Sequence, residues 1–127
     1  MRSVIAEGSA LKGQEILNTV AAHLLKQAAK SLGPVASYDG GETCAYRSPE
    51  GLRCAVGGAL EEGEYSPAME SKTVEDLGDL LPERLRPHRA LLTSLQLIHD
   101  THPVASWPRQ LRELSESLGL EVPEGCQ

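Results

Sequence analysis

The sequence predicts an α+β fold: one helix-rich domain with a small antiparallel β-hairpin packed on its helices. Three observations predict it. Apolar residues recur at helical spacing in several segments, so those segments each have one face to bury. A single stretch, 43–58, combines two short strand-compatible runs with turn residues between them. The chain has 127 residues, 40% of them hydrophobic, which suits one core and not two. Residues 1–127 therefore form a single domain, with 1–10 and 121–127 as flexible arms.

The strongest helical pattern covers 11–32. Ile16, Leu17, Val20, Ala21, Leu24, Leu25 and Ala28 form one stripe, and His23, Lys26, Gln27 and Lys30 fall on the other side. Gly33-Pro34 stops it. The hairpin then pairs 43–47 with 52–56 across Ser48-Pro49-Glu50-Gly51, where proline presets φ and glycine accepts a positive φ. Two strands alone are marginal in water, so residues 35–38 are the candidate third strand. Gly57-Gly58 ends the ribbon.

Ser66-Pro67 has the order of an N-cap followed by proline at the first helical position, which starts a short helix over 67–71. Thr73-Val74-Glu75-Asp76 resembles a capping box and opens a helix to about residue 81. Residues 87–101 carry Leu91, Leu92, Leu95 and Ile98 on one stripe. The last helix runs from Trp107 to Leu118 with Leu111, Leu114 and Leu118 inward, and Gly119 is suited to a left-handed cap.

Composition narrows the function classes. No apolar run approaches the ~20 residues that span a bilayer, and the N-terminal residues do not read as a signal peptide. Three cysteines make no disulfide framework and fit a reducing, cytoplasmic setting. Net charge is −6 and uneven: residues 61–83 hold eight acids against Lys72, whereas 84–112 hold Arg84, Arg86, Arg89, Arg109 and Arg112 against Asp100. The two segments either neutralise each other or leave an acidic surface for a basic partner. An acidic chain with few aromatics disfavours nucleic acid.

The segments Cys44-Ala45-Tyr46-Arg47, Gly51-Leu52-Arg53-Cys54-Ala55-Val56-Gly57, Tyr65-Ser66-Pro67-Ala68-Met69-Glu70 and Leu95-Gln96-Leu97-Ile98-His99-Asp100 resemble a family of small, mostly uncharacterised phage, prophage and bacterial proteins. That resemblance brings no activity. It implies a small accessory or host-directed factor.

Candidate site residues follow from chemistry. Asp100 lies near a helix C-terminus, where the helix dipole opposes negative charge, so a tertiary partner is expected. Arg47 and Arg53 beside the hairpin turn are the candidates. Tyr46, Arg47, Arg53, His99 and Asp100 thus form the expected binding cluster, read chiefly as a polar latch. Cys44, Cys54, His99 and His102 are the residue types of a zinc site, but the spacing fits no standard knuckle. Cys54, His99 and Asp100 spell a thiol hydrolase, but adjacent side chains on a helix diverge by about 100°. The function expected is a small binding or regulatory protein acting by protein–protein contact, with no cofactor and no membrane partner. The alternative is a zinc module or hydrolase using Cys44, Cys54 and His99. Whether the chain forms a homo-oligomer is left open.

Overall fold

The computed structural model describes residues 4–36, 42–48, 51–61, 63–70 and 72–126. Four α-helices organise it: α1 (Val4–Gln27), α2 (Ala55–Ala59), α3 (Arg89–Thr101) and α4 (Trp107–Leu118). α1 packs on α2, α3 and α4, α2 packs on α3, and α3 on α4. Short 3-10 turns at Pro67–Met69, Glu75–Leu80, Glu83–His88 and Val104–Ser106 make the connections.

The fold is all-α in architecture, with one short two-stranded ribbon beside the helices, and this corrects the α+β expectation of a hairpin packed on them. The hairpin over 43–56 does not form. Its turn does: Gly51 has φ +88, its N–H bonds the Ser48 carbonyl, and the Ser48 N–H bonds the Leu52 carbonyl. Beyond that rung the second arm turns away. The Gln27 side chain takes both the N–H and the C=O of Arg53, each at 2.9 Å, and so occupies the groups a strand would use. Helix α2 follows at once, with Cys54 as its N-cap. The first arm instead forms a two-stranded ribbon, β1 (Leu32–Ala36) with β2 (Glu42–Cys44), pairing Leu32 with Cys44 and Gly33 with Thr43. Of the proposed third strand, Val35 and Ala36 lie in β1, and Ser37 and Tyr38 lie outside the described residues.

Helix α1 also differs from its expected bounds. It begins earlier and ends at Gln27, where Ala28 takes a left-handed φ of 49. The tail over 121–126 is packed, not frayed. The Gln14 amide bonds the Glu121 N–H and C=O at 2.8 and 2.9 Å, and Pro123 and Cys126 are buried. The end of α4 is as its sequence predicts, with Gly119 at φ 70 and the Leu120 N–H returning to the Ser115 carbonyl.

The core is built from most of the predicted stripes, but Leu118, expected inward, is 48% exposed, and Ala28 is exposed beyond the end of α1. Leu17, Val20, Ala21 and Leu24 of α1 meet Val56, Leu92, Leu95, Trp107 and Leu111, all buried. Leu95 is fully buried, whereas Leu97 is 54% exposed. Leu95→Ala is expected to cost about 2–5 kcal/mol, and Leu97→Ala within about 0.5 kcal/mol of zero. Urea midpoints check this, and equal losses would show the helix rotated from this phase. Among the described residues no helix is long and apolar enough to cross a membrane.

Candidate functional site

The named polar residues fall into three neighbouring groups. The first is at the C-terminal end of α3. His99 is fully buried and stacks on Trp107, ring centroids 5.5 Å apart. Its Nε2 lies 3.0 Å from the Ser31 backbone N–H, so that nitrogen must accept. The ring proton is therefore on Nδ1, which donates to Asp100 Oδ1 at 2.8 Å. Diverging side-chain directions were expected to make it hard for Asp100 to orient His99, yet the two are bonded. About 100° separates the Cα–Cβ directions, but Nδ1 lies only one bond beyond Cγ and a short carboxylate reaches it. Gln96 Nε2 also donates to Asp100 Oδ1, while Gln96 Oε1 accepts the Val56 N–H. Lys30 Nζ approaches the Asp100 carbonyl at 3.4 Å.

The second group lies on the last turns of α1 and just beyond it. His23 and Gln27, expected on the solvated side, both turn to the Arg53 backbone. His23 Nε2 is 2.9 Å from the Arg53 carbonyl. Ser31 Oγ donates to the Ala45 carbonyl at 2.7 Å and lies 3.1 Å from the Leu52 carbonyl. These bonds hold the 45–54 segment against the helices. Each net contribution is of order 1 kcal/mol, but an orphaned buried partner costs about 1–3 kcal/mol.

The third group contains Tyr46 and Arg47. Their consecutive N–H groups converge on the Glu70 carboxylate at 3.0 and 3.1 Å, and Tyr65 donates its hydroxyl to the same carboxylate at 2.6 Å. Burial first, and then the Glu70 hydrogen bond, push the Tyr65 phenol up to about 12. The Arg47 guanidinium covers the Tyr65 ring, 4.5 Å from its centroid. The Tyr46 hydroxyl donates to the Lys72 carbonyl.

The expected cluster is therefore divided. His99 and Asp100 are together, and Tyr46 and Arg47 are together around Glu70. Arg53 is held by its backbone. Among the described residues, neither Arg47 nor Arg53 forms an ion pair with Asp100. The Cys44 side chain lies outside the described residues. Cys54 is fully buried, and its Sγ accepts the Gly57 N–H at 3.5 Å, capping α2. His102 accepts the Trp107 indole N–H through its carbonyl. Among the described residues no group of three or more His, Cys, Asp or Glu is gathered as for a metal ion.

The arginines of 84–112 are largely turned onto the acidic segment. Arg84 holds the Glu64 carboxylate in a two-pronged contact at 2.6 and 2.9 Å, and this bond holds the Glu64 pKa below the usual range. Arg86 donates to the Leu81 and Asp79 carbonyls, and Arg89 to that of Gly78. Glu61, Glu75, Asp76, Asp79 and Glu83 remain exposed.

No family model, curated protein or solved structure significantly matches the chain.

Sequence reasoning missed Ser31, Gln27, Gln96 and Glu70. A glutamine beside an apolar stripe has the same local signal whether it is solvated or bound to backbone. His23 yields a pH prediction. Burial first, and then the Arg53 charge, hold its pKa below the ordinary 6.5, against the opposing hydrogen bond to the Arg53 carbonyl. The folded state thus prefers neutral His23. Its stabilisation is full above 6.5 and is lost as pH falls from there toward the lower folded value. Urea midpoints for wild type and His23→Gln at about pH 7 and pH 5 should show a smaller acid loss in the variant. An equal loss would remove His23 as the cause.

Proposed function

We propose that the protein is a small binding or regulatory factor that acts in the cytoplasm through protein–protein contact. One observation carries the reading: the side chains with catalytic potential are spent on the fold. Cys54 caps α2, and both nitrogens of His99 are engaged with Ser31 and Asp100 while the ring is fully buried. A nucleophile or base must reach a substrate, and these are enclosed. The exposed acids at 75, 76, 79 and 83, with Arg84 bonded to Glu64 and Arg86 and Arg89 to backbone carbonyls, support a surface that meets a basic partner. The free thiols of Cys54 and Cys126 support a reducing compartment. The resemblance to small phage and prophage proteins makes a bacterial host protein the expected partner.

The test is crosslinking and recovery from bacterial lysate with wild type and with the triple variant Glu75→Lys, Asp76→Lys, Asp79→Lys. All three positions are exposed, so melting should be unchanged. A partner recovered by wild type and lost by the variant supports the reading. Recovery of nothing beyond a charge-matched control protein would overturn it.

A further inference from the structure

Two consecutive backbone N–H groups pointing at one anion form a nest, a recurrent anion-binding geometry. The Tyr46 and Arg47 N–H groups do this, and the anion they hold is the protein's own Glu70. The nest is rigid. The Tyr46 carbonyl lies so close to the α2 backbone that a Cβ on Gly57 would sit 2.0 Å from it. Tyr65 adds a third donor. Glu70 draws its hydrogen bonds here from neutral donors, two amides and a phenol. The Arg47 guanidinium stays over the Tyr65 ring and forms no ion pair among the described residues. The cluster therefore holds a cationic fork that its resident carboxylate leaves unused.

We propose that the Tyr46 and Arg47 N–H groups, the Arg47 guanidinium and the Tyr65 hydroxyl form an anion-binding site, which Glu70 fills in cis. A carboxylate or phosphate group takes the site when the Glu70 side chain swings out. The backbone of Glu70 stays in place, because its N–H bonds the Pro67 carbonyl and Met69 beside it is buried. Rotation about its own side-chain bonds is enough. An incoming anion regains the two amides and adds the guanidinium fork, a charge-assisted contact. The tether gives Glu70 a high effective concentration, so wild type resists dilute anions. The inference is independent of the protein-contact reading, since the ligand is a small anion.

The test is titration of Glu70→Ala and wild type with sodium acetate and with inorganic phosphate, following the Tyr46 and Arg47 amide resonances against chloride at equal ionic strength. Glu70→Ala should bind saturably and at least about tenfold more tightly than wild type. A response to acetate alone assigns a planar carboxylate, and a response to phosphate alone a tetrahedral oxyanion; either supports the site. Adding Arg47→Ala should weaken binding about tenfold. No saturable shift beyond chloride in Glu70→Ala overturns the proposal, and so does equal affinity with and without Arg47. If Glu70→Ala does not fold, the same anions must restore its near-UV circular dichroism; failure to restore it also overturns the proposal.

Discussion

Gly57→Ala is expected to cost about 3 kcal/mol or more, because the added volume meets the Tyr46 peptide backbone. The new Cβ would stand 2.0 Å from the Tyr46 carbonyl oxygen and 3.0 Å from its carbon. A peptide group cannot rotate aside as a side chain can. Relief requires α2 to lift from the 45–48 segment, which also strains the nest around Glu70. Gly58→Ala should cost less. Its Cβ would meet the His23 ring at 2.4 Å, and that ring can swing away at the loss of its bond to Arg53. Urea midpoints for the two variants decide the matter. Equal losses, or a Gly57→Ala midpoint at the wild-type value, would show that the α2 contact is not rigid.

Trp107→Ala is the second large effect, expected at about 3–5 kcal/mol. Trp107 is fully buried at the start of α4, stacks on His99 and ties its indole N–H to the His102 carbonyl. Truncation opens a cavity beside a buried imidazole and leaves the carbonyl without that donor. Trp107→Phe keeps most of the ring and loses the N–H, so it should recover more than half of the loss. Thermal and urea unfolding of the pair checks this. A Phe variant as damaged as the Ala variant would assign the effect to the hydrogen bond and not to packing.

Much of the helical part was legible in the sequence, and the reasons are specific. The stripes of α1 and α3 repeat at helical spacing, and burial dictates that pattern wherever the helix packs. The close of α4 follows from Gly119, because a glycine after an apolar run supplies the left-handed residue that ends a helix. The hairpin was misread for an equally specific reason. Residues 52–56 have strand-compatible side chains, but strand formation depends on which groups receive the backbone. Here Gln27, 26 positions away, supplies an amide that matches Arg53 on both sides. Local pattern contains no trace of that partner. The glycines at 57 and 58 have the local signal of a turn, whereas their role is closeness: α2 approaches Tyr46 and His23 where a Cβ would collide.

The candidate site divides along the same line. His99 and Asp100 drew notice because a carboxylate near a helix C-terminus needs compensation, and among the described residues His99 and Gln96 supply hydrogen bonds to it where Arg47 or Arg53 was expected. Glu70 drew none, since a carboxylate after a short turn is ordinary until the two N–H groups that it receives are known.

The clasp between Gln14 and Glu121 has a consequence for synthesis. Its partners lie 107 positions apart, so a ribosome has made nearly all the described chain before the bond can close. Gly125 likewise reaches Leu25 of α1, where an added Cβ would lie 3.1 Å from the Leu25 side chain. The first helix therefore emerges with part of its packing surface waiting for residues 121–126. Such distant closure cannot form until residue 121 has been made, so a shorter nascent chain leaves the packing of α1 incomplete. A nascent chain stalled before residue 121 should consequently be far more open to protease at α1 than the released protein.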